Sequence, residues 1–376
     1  MNYQTLLAQR VAGLEASGIR KIFDLAATIK DAINLSIGQP DFDVPDPIKE
    51  SCIAAIRSGF NRYPPSAGFP ELRSLVKDHF QHLNGIRPEC AIITSGTSGA
   101  LTLALMALIN PGDEALVPDP YFVSYKHLTA ICGGKAVYFD TYPDFIVDAA
   151  KVEKLITPRT KAILAMSPAN PTGVCLTHRQ KCDLTDLARA KNIVLISDEI
   201  YEMFSYADGS AATRSLAAYY PEGTLAVGGL SKTLGMTGWR VGWATGPADL
   251  IEALIKLQQF TFVCAPSAAQ RAALGAFNVD LSEKVRQYRG KRDFMLSGLR
   301  AAGYDVVEPG GAFYLFPRVP AKFKSGQEFV EEAVKRRLLL VPGNVFSTRD
   351  THFRISYAAS DSVLAQGLEV MREMTA

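Results

Sequence analysis

The sequence has no Cys-x-x-C pair among its six cysteines, no long apolar run and no block of one charge sign. Scattered thiols without a pairing pattern exclude a disulfide framework and fit a reducing compartment. A helical membrane span needs about 18 consecutive apolar residues, and no stretch approaches that. Met1–Ala16 interrupts its apolar residues with Gln4, Gln9, Arg10 and Glu15, so it lacks the core of a secretory signal. A cytoplasmic protein is expected. Asn170-Pro171-Thr172 is no glycosylation acceptor, because proline fills the middle position. The 40 basic and 38 acidic residues are well mixed, with a net charge of +2, which argues against nucleic acid or an acidic membrane as partner. Cys175, His178 and Cys182 are close in sequence and could offer metal ligands. A structural zinc site needs a full tetrahedral set, and no second pair lies nearby, so no metal is expected; the three read as the start of a surface helix.

What is present is a 376-residue chain, 48% hydrophobic, long enough for roughly two or three domains with large cores. Its middle alternates short apolar runs with helical spacing. Strands are expected at Ala91–Ser95, Glu114–Pro118, Ala136–Phe139, Ala162–Met166, Ile193–Ser197, Thr224–Gly228 and Val241–Thr245. Several are apolar almost throughout, as in parallel strands covered on both faces. Helices are expected at Ser98–Ile109, Val147–Ile156, Arg179–Lys191 and Asp249–Phe260. This alternation predicts an α/β domain with a mostly parallel seven-stranded sheet between helices. Residues 1–30 read as amphipathic helix. Two helical stretches follow Pro266, the second a long charged one over about Leu281–Ala302, and Tyr304–Ala376 mixes short strands with helices. We expect a large domain at 44–280 and a smaller α+β domain from 1–43 and 281–376.

Ligands of open α/β sheets bind beyond the carboxyl ends of strands, and four such ends carry chemistry. Gly96-Thr97-Ser98-Gly99 follows the first strand and opens a helix, where backbone N–H groups, hydroxyls and the helix dipole favour an anion. A plain capped turn is the other reading. It is no P-loop, and Ala100 stands where a nucleophile elbow needs its last glycine. Asn170-Pro171-Thr172-Gly173 is by itself a turn. Asp198, in Ser197-Asp198-Glu199-Ile200-Tyr201, ends an apolar strand, where a carboxylate needs a cationic partner such as an arginine, a helix N-terminus or a protonated pyridine nitrogen. Lys232 follows another strand within Gly229-Leu230-Ser231-Lys232-Thr233; taken partly out of water, such an amine becomes a nucleophile, although a lysine reaching solvent is the plainer alternative. Arg240, in Gly238-Trp239-Arg240, could grip a phosphate bidentately.

Together these residues resemble class I aminotransferases of the fold-type-I pyridoxal phosphate enzymes, in particular the bacterial and archaeal aspartate/aromatic branch. The likeness runs from Ile37-Gly38-Gln39-Pro40-Asp41-Phe42 to His352-Phe353-Arg354-Ile355-Ser356-Tyr357. It implies Lys232 as the Schiff-base lysine and proton carrier, and Asp198 as the partner of the ring nitrogen. Asn170 and Tyr201 would hydrogen-bond the phenolic oxygen. Gly96, Thr97, Ser98, Ser231 and Arg240 would cradle the phosphate, with Phe122 stacked on the ring. Tyr63 would reach the phosphate of the neighbouring subunit, which makes the protein a homodimer. Arg354 would clamp the substrate α-carboxylate, with Gly38 and Asn170 bordering the same pocket. Two positions depart from the pattern: Gly229 replaces a serine found in some members, and the stacking ring is Phe rather than Trp.

The expected activity is ping-pong transfer of an amino group from an L-amino acid (aspartate, aromatic or small apolar) to a 2-oxo acid such as 2-oxoglutarate. The absence of Lys and Arg from Ser98–Ile109 favours aromatic or small apolar donors, although Arg20, Lys21 or the partner subunit could supply a second cation. A C–S β-lyase of the same fold shares Lys232, Asp198 and Arg354 and is the main alternative. A sensor domain of a transcription regulator would need a DNA-binding domain, for which the stretch before Gly38 is too short. A hydrolase built on Ser98 would need a nearby base, and of five histidines only His352 lies in a strand-like segment.

Overall fold

The protein is described by a computed structural model covering residues 1, 3, 6–14, 18, 29–206 and 214–375. Most of the expected N-terminal helix, with Arg20 and Lys21, lies outside the described residues; within them that segment is helical over Gln9–Ala12.

The first strand, β1 (Ile33–Asn34), is short. The next seven form one sheet: β2 (Cys90–Ser95), β3 (Glu114–Asp119), β4 (Lys135–Asp140), β5 (Thr160–Met166), β6 (Val194–Asp198), β7 (Thr224–Gly229) and β8 (Val241–Gly246). Each overlaps an expected strand and ends within two residues of it. The order is β2-β8-β7-β6-β5-β3-β4. All neighbours are parallel except those of β8, which runs antiparallel to both β2 and β7. β8 follows β7 through two short helical turns, Leu230–Thr233 and Thr237–Trp239, with no long crossover helix, and it returns in the opposite sense. That reversal has a consequence for the site: residues just before β8 lie at the same edge as residues just after β2, β5, β6 and β7.

Helices cover both faces. Gly96–Leu108 is buried along most of its length and packs with Ala248–Phe260 over β2, β7 and β8. His178–Ala190 begins with Thr177 and Gln180 in a reciprocal capping box, which satisfies donors that a helix start leaves open. At the head of that helix, Cys182 Sγ lies 3.8 Å from His178 Nε2, while His178 Nδ1 meets Tyr219 Oη at 3.0 Å. Three further helices, Asp46–Arg57, Pro70–Asn84 and Val123–Ile131, fall where no helix was assigned from sequence.

Beyond the sheet, Ser282–Ala301 forms one 20-residue helix. The remaining strands are β9 (Tyr314–Leu315), β10 (Leu338–Leu339), β11 (Val341–Pro342) and β12 (Phe353–Ser356). β9, β11 and β12 pair antiparallel, whereas β1 pairs parallel with β10 through Ile33↔Leu338 and Asn34↔Leu339. Leu35 shares a core with Leu299, Phe313, Phe329, Leu338, Phe353 and Leu368. Ile33–Leu35 is therefore built into the C-terminal third.

Candidate active site

The carboxyl ends of β2, β5, β6 and β7 and the start of β8 surround a cavity of about 250 Å³. Gly38, Thr97, Ser98, Phe122, Asn170, Asp198, Tyr201, Ser231, Lys232, Arg240 and Arg354 all line it. Sequence reasoning placed each of these in the site. Gly96 stands behind the lining, and Tyr63 lies apart, 84% exposed on the loop after Asp46–Arg57.

Lys232 sits in a single turn of helix, Leu230–Thr233, directly after β7. Its Nζ donates to the Gly38 carbonyl at 2.5 Å. Burial, then the charges of Arg354 and Arg240, push its pKa down to about 8, with Asp198 pulling the other way. Asp198 is 2% exposed at the last position of β6. Burial lifts its carboxyl to about 6, against the hydrogen bond from Tyr125, the Ile200 N–H and the nearby Lys232. Tyr125 Oη donates to Asp198 Oδ2 at 2.9 Å and the Ile200 N–H to Oδ1 at 3.2 Å.

Arg240 meets the loop after β2. The Gly96 N–H donates to the Arg240 carbonyl at 3.1 Å, and Arg240 Nη1 donates to the Thr237 carbonyl at 2.8 Å. Gly96 has φ +68°, and a β-carbon there would stand 2.4 Å from Arg240 Nη2. Only glycine allows both the left-handed backbone and the close approach of the guanidinium. The Thr97 hydroxyl hydrogen goes to the Gly228 carbonyl at 3.0 Å, so this loop's free donors are backbone groups and Ser98. The glycine at 229 is accounted for by the same packing: a β-carbon there would lie 2.9 Å from Thr97 Oγ1 and 3.0 Å from the Val241 carbonyl.

Arg354, on β12, is 1% exposed. Nη1 donates to Asn170 Oδ1 at 3.1 Å and Nη2 to the Ser36 carbonyl at 2.7 Å, while Nε is buried without a partner. Its guanidinium carbon lies 4.5 Å from the Tyr314 ring and 4.7 Å from the Phe346 ring. Tyr201 Oη and Tyr314 Oη are 2.7 Å apart.

Sequence reasoning missed Tyr125, Tyr314 and Ser36. A signal existed for Tyr125, because it stands three residues after Phe122 at the start of a helix, hence on the same face. None existed for Tyr314 or Ser36, which reach the site only through pairings of short strands. Among the described residues the lining holds no histidine to act with Ser98.

The family model for class I and II aminotransferases matches residues 30–370. The chain belongs to that family. The aromatic-amino-acid aminotransferase 2 of Thermococcus litoralis is 36% identical, covering 98% of each chain. The aspartate/prephenate aminotransferase of Thermus thermophilus is 37% identical over 96% of this chain and 97% of that one. The solved structure of a Thermus thermophilus aspartate aminotransferase with maleate superposes with a TM-score of 0.92 at 35% identity, covering 98% and 99% of the two chains. This protein is a pyridoxal-phosphate-dependent aminotransferase, and the β-lyase alternative is not favoured by relatives named for transamination. The residues present fit the cofactor. The Gly96–Arg240 cradle suits a phosphate at a helix start, Asp198 is a buried carboxylate in the same cavity, and Lys232 is an amine with a lowered proton affinity.

Proposed function

We propose that Lys232, Asp198, Tyr201 and Arg354 carry amino transfer from an L-amino acid to a 2-oxo acid, in ping-pong fashion. The supporting observation is the convergence of a low-affinity amine, a buried carboxylate and a partly unsatisfied guanidinium on one cavity. Pyridoxal phosphate, when bound, supplies an aldehyde carbon that condenses with amines and a protonated ring that draws electrons from the substrate. The chain's own residues supply the rest. Gly96, Thr97, Ser98, Ser231 and Arg240 would hold the phosphate, with Tyr63 reaching across from a second copy. Phe122 would flank the ring. Asp198 would hold the proton on the ring nitrogen, and Asn170 and Tyr201 would face the phenolic oxygen. Arg354 would receive the α-carboxylate, its unpaired Nε being a buried donor that lacks a partner in the protein. Lys232 would move the proton away from the α-carbon, a task suited to an amine whose affinity is near working pH.

For the donor we propose an aromatic or small apolar amino acid. Apart from the residues assigned to the cofactor and the α-carboxylate, the cavity is faced by Leu101, Met166, Ile200, Tyr314 and Thr237, apolar for the most part. The lining cations among the described residues are Lys232, Arg240 and Arg354, each already donating to a protein carbonyl or amide oxygen. The acceptor we propose is 2-oxoglutarate. We also propose a cytoplasmic homodimer, divided into a large domain at 44–280 and a small one from 1–43 and 281–376. The parallel pairing of β1 with β10 supports joining the N-terminal segment to the small domain.

The test is the absorbance spectrum of purified protein, followed by a screen of amino donors with 2-oxoglutarate. A near-visible band that Lys232→Ala abolishes, with transfer from aromatic donors, is expected. Wild-type-like transfer by Lys232→Ala refutes the role of Lys232, and exclusive use of aspartate refutes the donor preference.

A further inference from the structure

One buried carboxylate at the site's edge of the sheet has no part in this chemistry. Asp119 ends β3 and is 4% exposed. Its oxygens are taken by the segment after β11. Ser347 Oγ donates to Oδ1 at 2.5 Å, and Thr348 donates to Oδ2 through its N–H at 3.2 Å and through Oγ1. Tyr142 Oη donates to Ser347 Oγ at 3.0 Å, and the Tyr121 N–H donates to the Phe346 carbonyl at 2.7 Å. Arg349 pairs with Asp140, at the end of β4, at 2.8 Å, and its guanidinium lies 4.4 Å from the Tyr142 ring. That outer pair is about half exposed and adds little. The buried donors on Asp119 are the strong part, because three of them converge on one carboxyl group away from water, where a lost partner is costly.

The same segment touches Arg354. It is the connection of the β11–β12 hairpin, in which Val341 faces Arg354 and the Gly343 N–H donates to the His352 carbonyl at 2.8 Å. Phe346, fully buried, places its ring 4.7 Å from the guanidinium of Arg354. Asp119 is thus linked to Arg354 through Ser347, Thr348 and Phe346, across the gap between the large sheet and the C-terminal strands.

We infer that Asp119 is a positioning residue for substrate binding: it seats Phe346 against Arg354 and so fixes where the guanidinium stands relative to Lys232. The inference rests on Arg354 being the α-carboxylate clamp. A positioned group loses effectiveness steeply with small displacements, so loosening the segment weakens amino-acid binding and leaves the cofactor's anchoring intact.

The experiment compares wild-type holoenzyme with Asp119→Ala and Thr348→Val. The first removes the acceptor; the second removes one donor and keeps the backbone N–H, so it decides the matter if Asp119→Ala does not fold. The single-turnover half-reaction is followed against the concentration of L-phenylalanine or L-aspartate, whichever wild type uses faster. The apparent dissociation constant is expected to rise about tenfold in Asp119→Ala and less in Thr348→Val. The limiting rate and the cofactor's absorbance band stay close to wild type. An unchanged dissociation constant in the folded variants overturns the inference, as does a fall in limiting rate that matches the loss of binding. A wild type that shows no cofactor band, or uses neither amino acid, instead overturns the functional reading beneath it.

Discussion

Tyr125 donates its phenolic hydrogen to the carboxylate of Asp198 across 2.9 Å in a fully buried contact. Burial, then the negative charge of Asp198, hold the tyrosine well above its ordinary pKa, so it stays a donor at any working pH. For Asp198 the bond works against desolvation, lowering a proton affinity that burial raises to about 6. Tyr125→Phe should therefore raise the carboxyl's pKa further. A hydrogen bond to a charged group contributes on the order of 1.5–3 kcal/mol, and about 1.4 kcal/mol is one pKa unit. In the cofactor-free protein, the titration of this carboxyl followed by NMR should move up by about one to two units. A titration superimposable on wild type would show that Tyr125 only fills space.

The amine of Lys232 reacts only when deprotonated, and its pKa is lowered from 10.5 to about 8. Below that value the ammonium dominates, and above it the free amine does. Reconstitution of the apoenzyme with pyridoxal phosphate should accelerate as pH rises, with a midpoint near 8. Stopped-flow absorbance measures this directly. A midpoint near the ordinary lysine value would mean that the amine is fully solvated in the free protein.

Tyr63 is 84% exposed in the single chain although its predicted role is in the cofactor site. If it serves a second copy, Tyr63→Ala and Lys232→Ala chains should complement each other. Each homodimer lacks one group at every site, whereas a mixed dimer holds one complete site. Recovery of transfer on mixing and exchanging the two variants is the expected result. Two variants that remain additive in mixture would place Tyr63 outside the site.

Much of this was legible in the sequence because it is local. All seven sheet strands follow from apolar runs, since a strand covered on both faces needs no polar alternation. The order of those strands was not legible. The insertion of β8 between β2 and β7 depends on contacts between residues about 150 positions apart, such as Ile93 with Trp243. That insertion is also what brings Arg240 onto Gly96. The chemistry-bearing residues were legible one at a time as odd polar groups at the ends of apolar runs. Their mutual support was not: Tyr314 meets Tyr201, and Ser36 meets Arg354, across more than a hundred residues of chain. The helices Asp46–Arg57 and Pro70–Asn84 begin without a side-chain cap, each opening instead with proline in its first turn. Proline in the first turn is a helix start signal, but a weaker one than a side-chain cap, because proline marks turns equally well.

The chemistry of the site depends most on which lysine binds the cofactor. Reducing the holoenzyme with borohydride would lock that link, and peptide mass spectrometry would then locate it. The structure predicts a single modified peptide, with the pyridoxyl group on Lys232. Modification at Lys181 or another lysine, or none at all in protein that retains transfer activity, would contradict it.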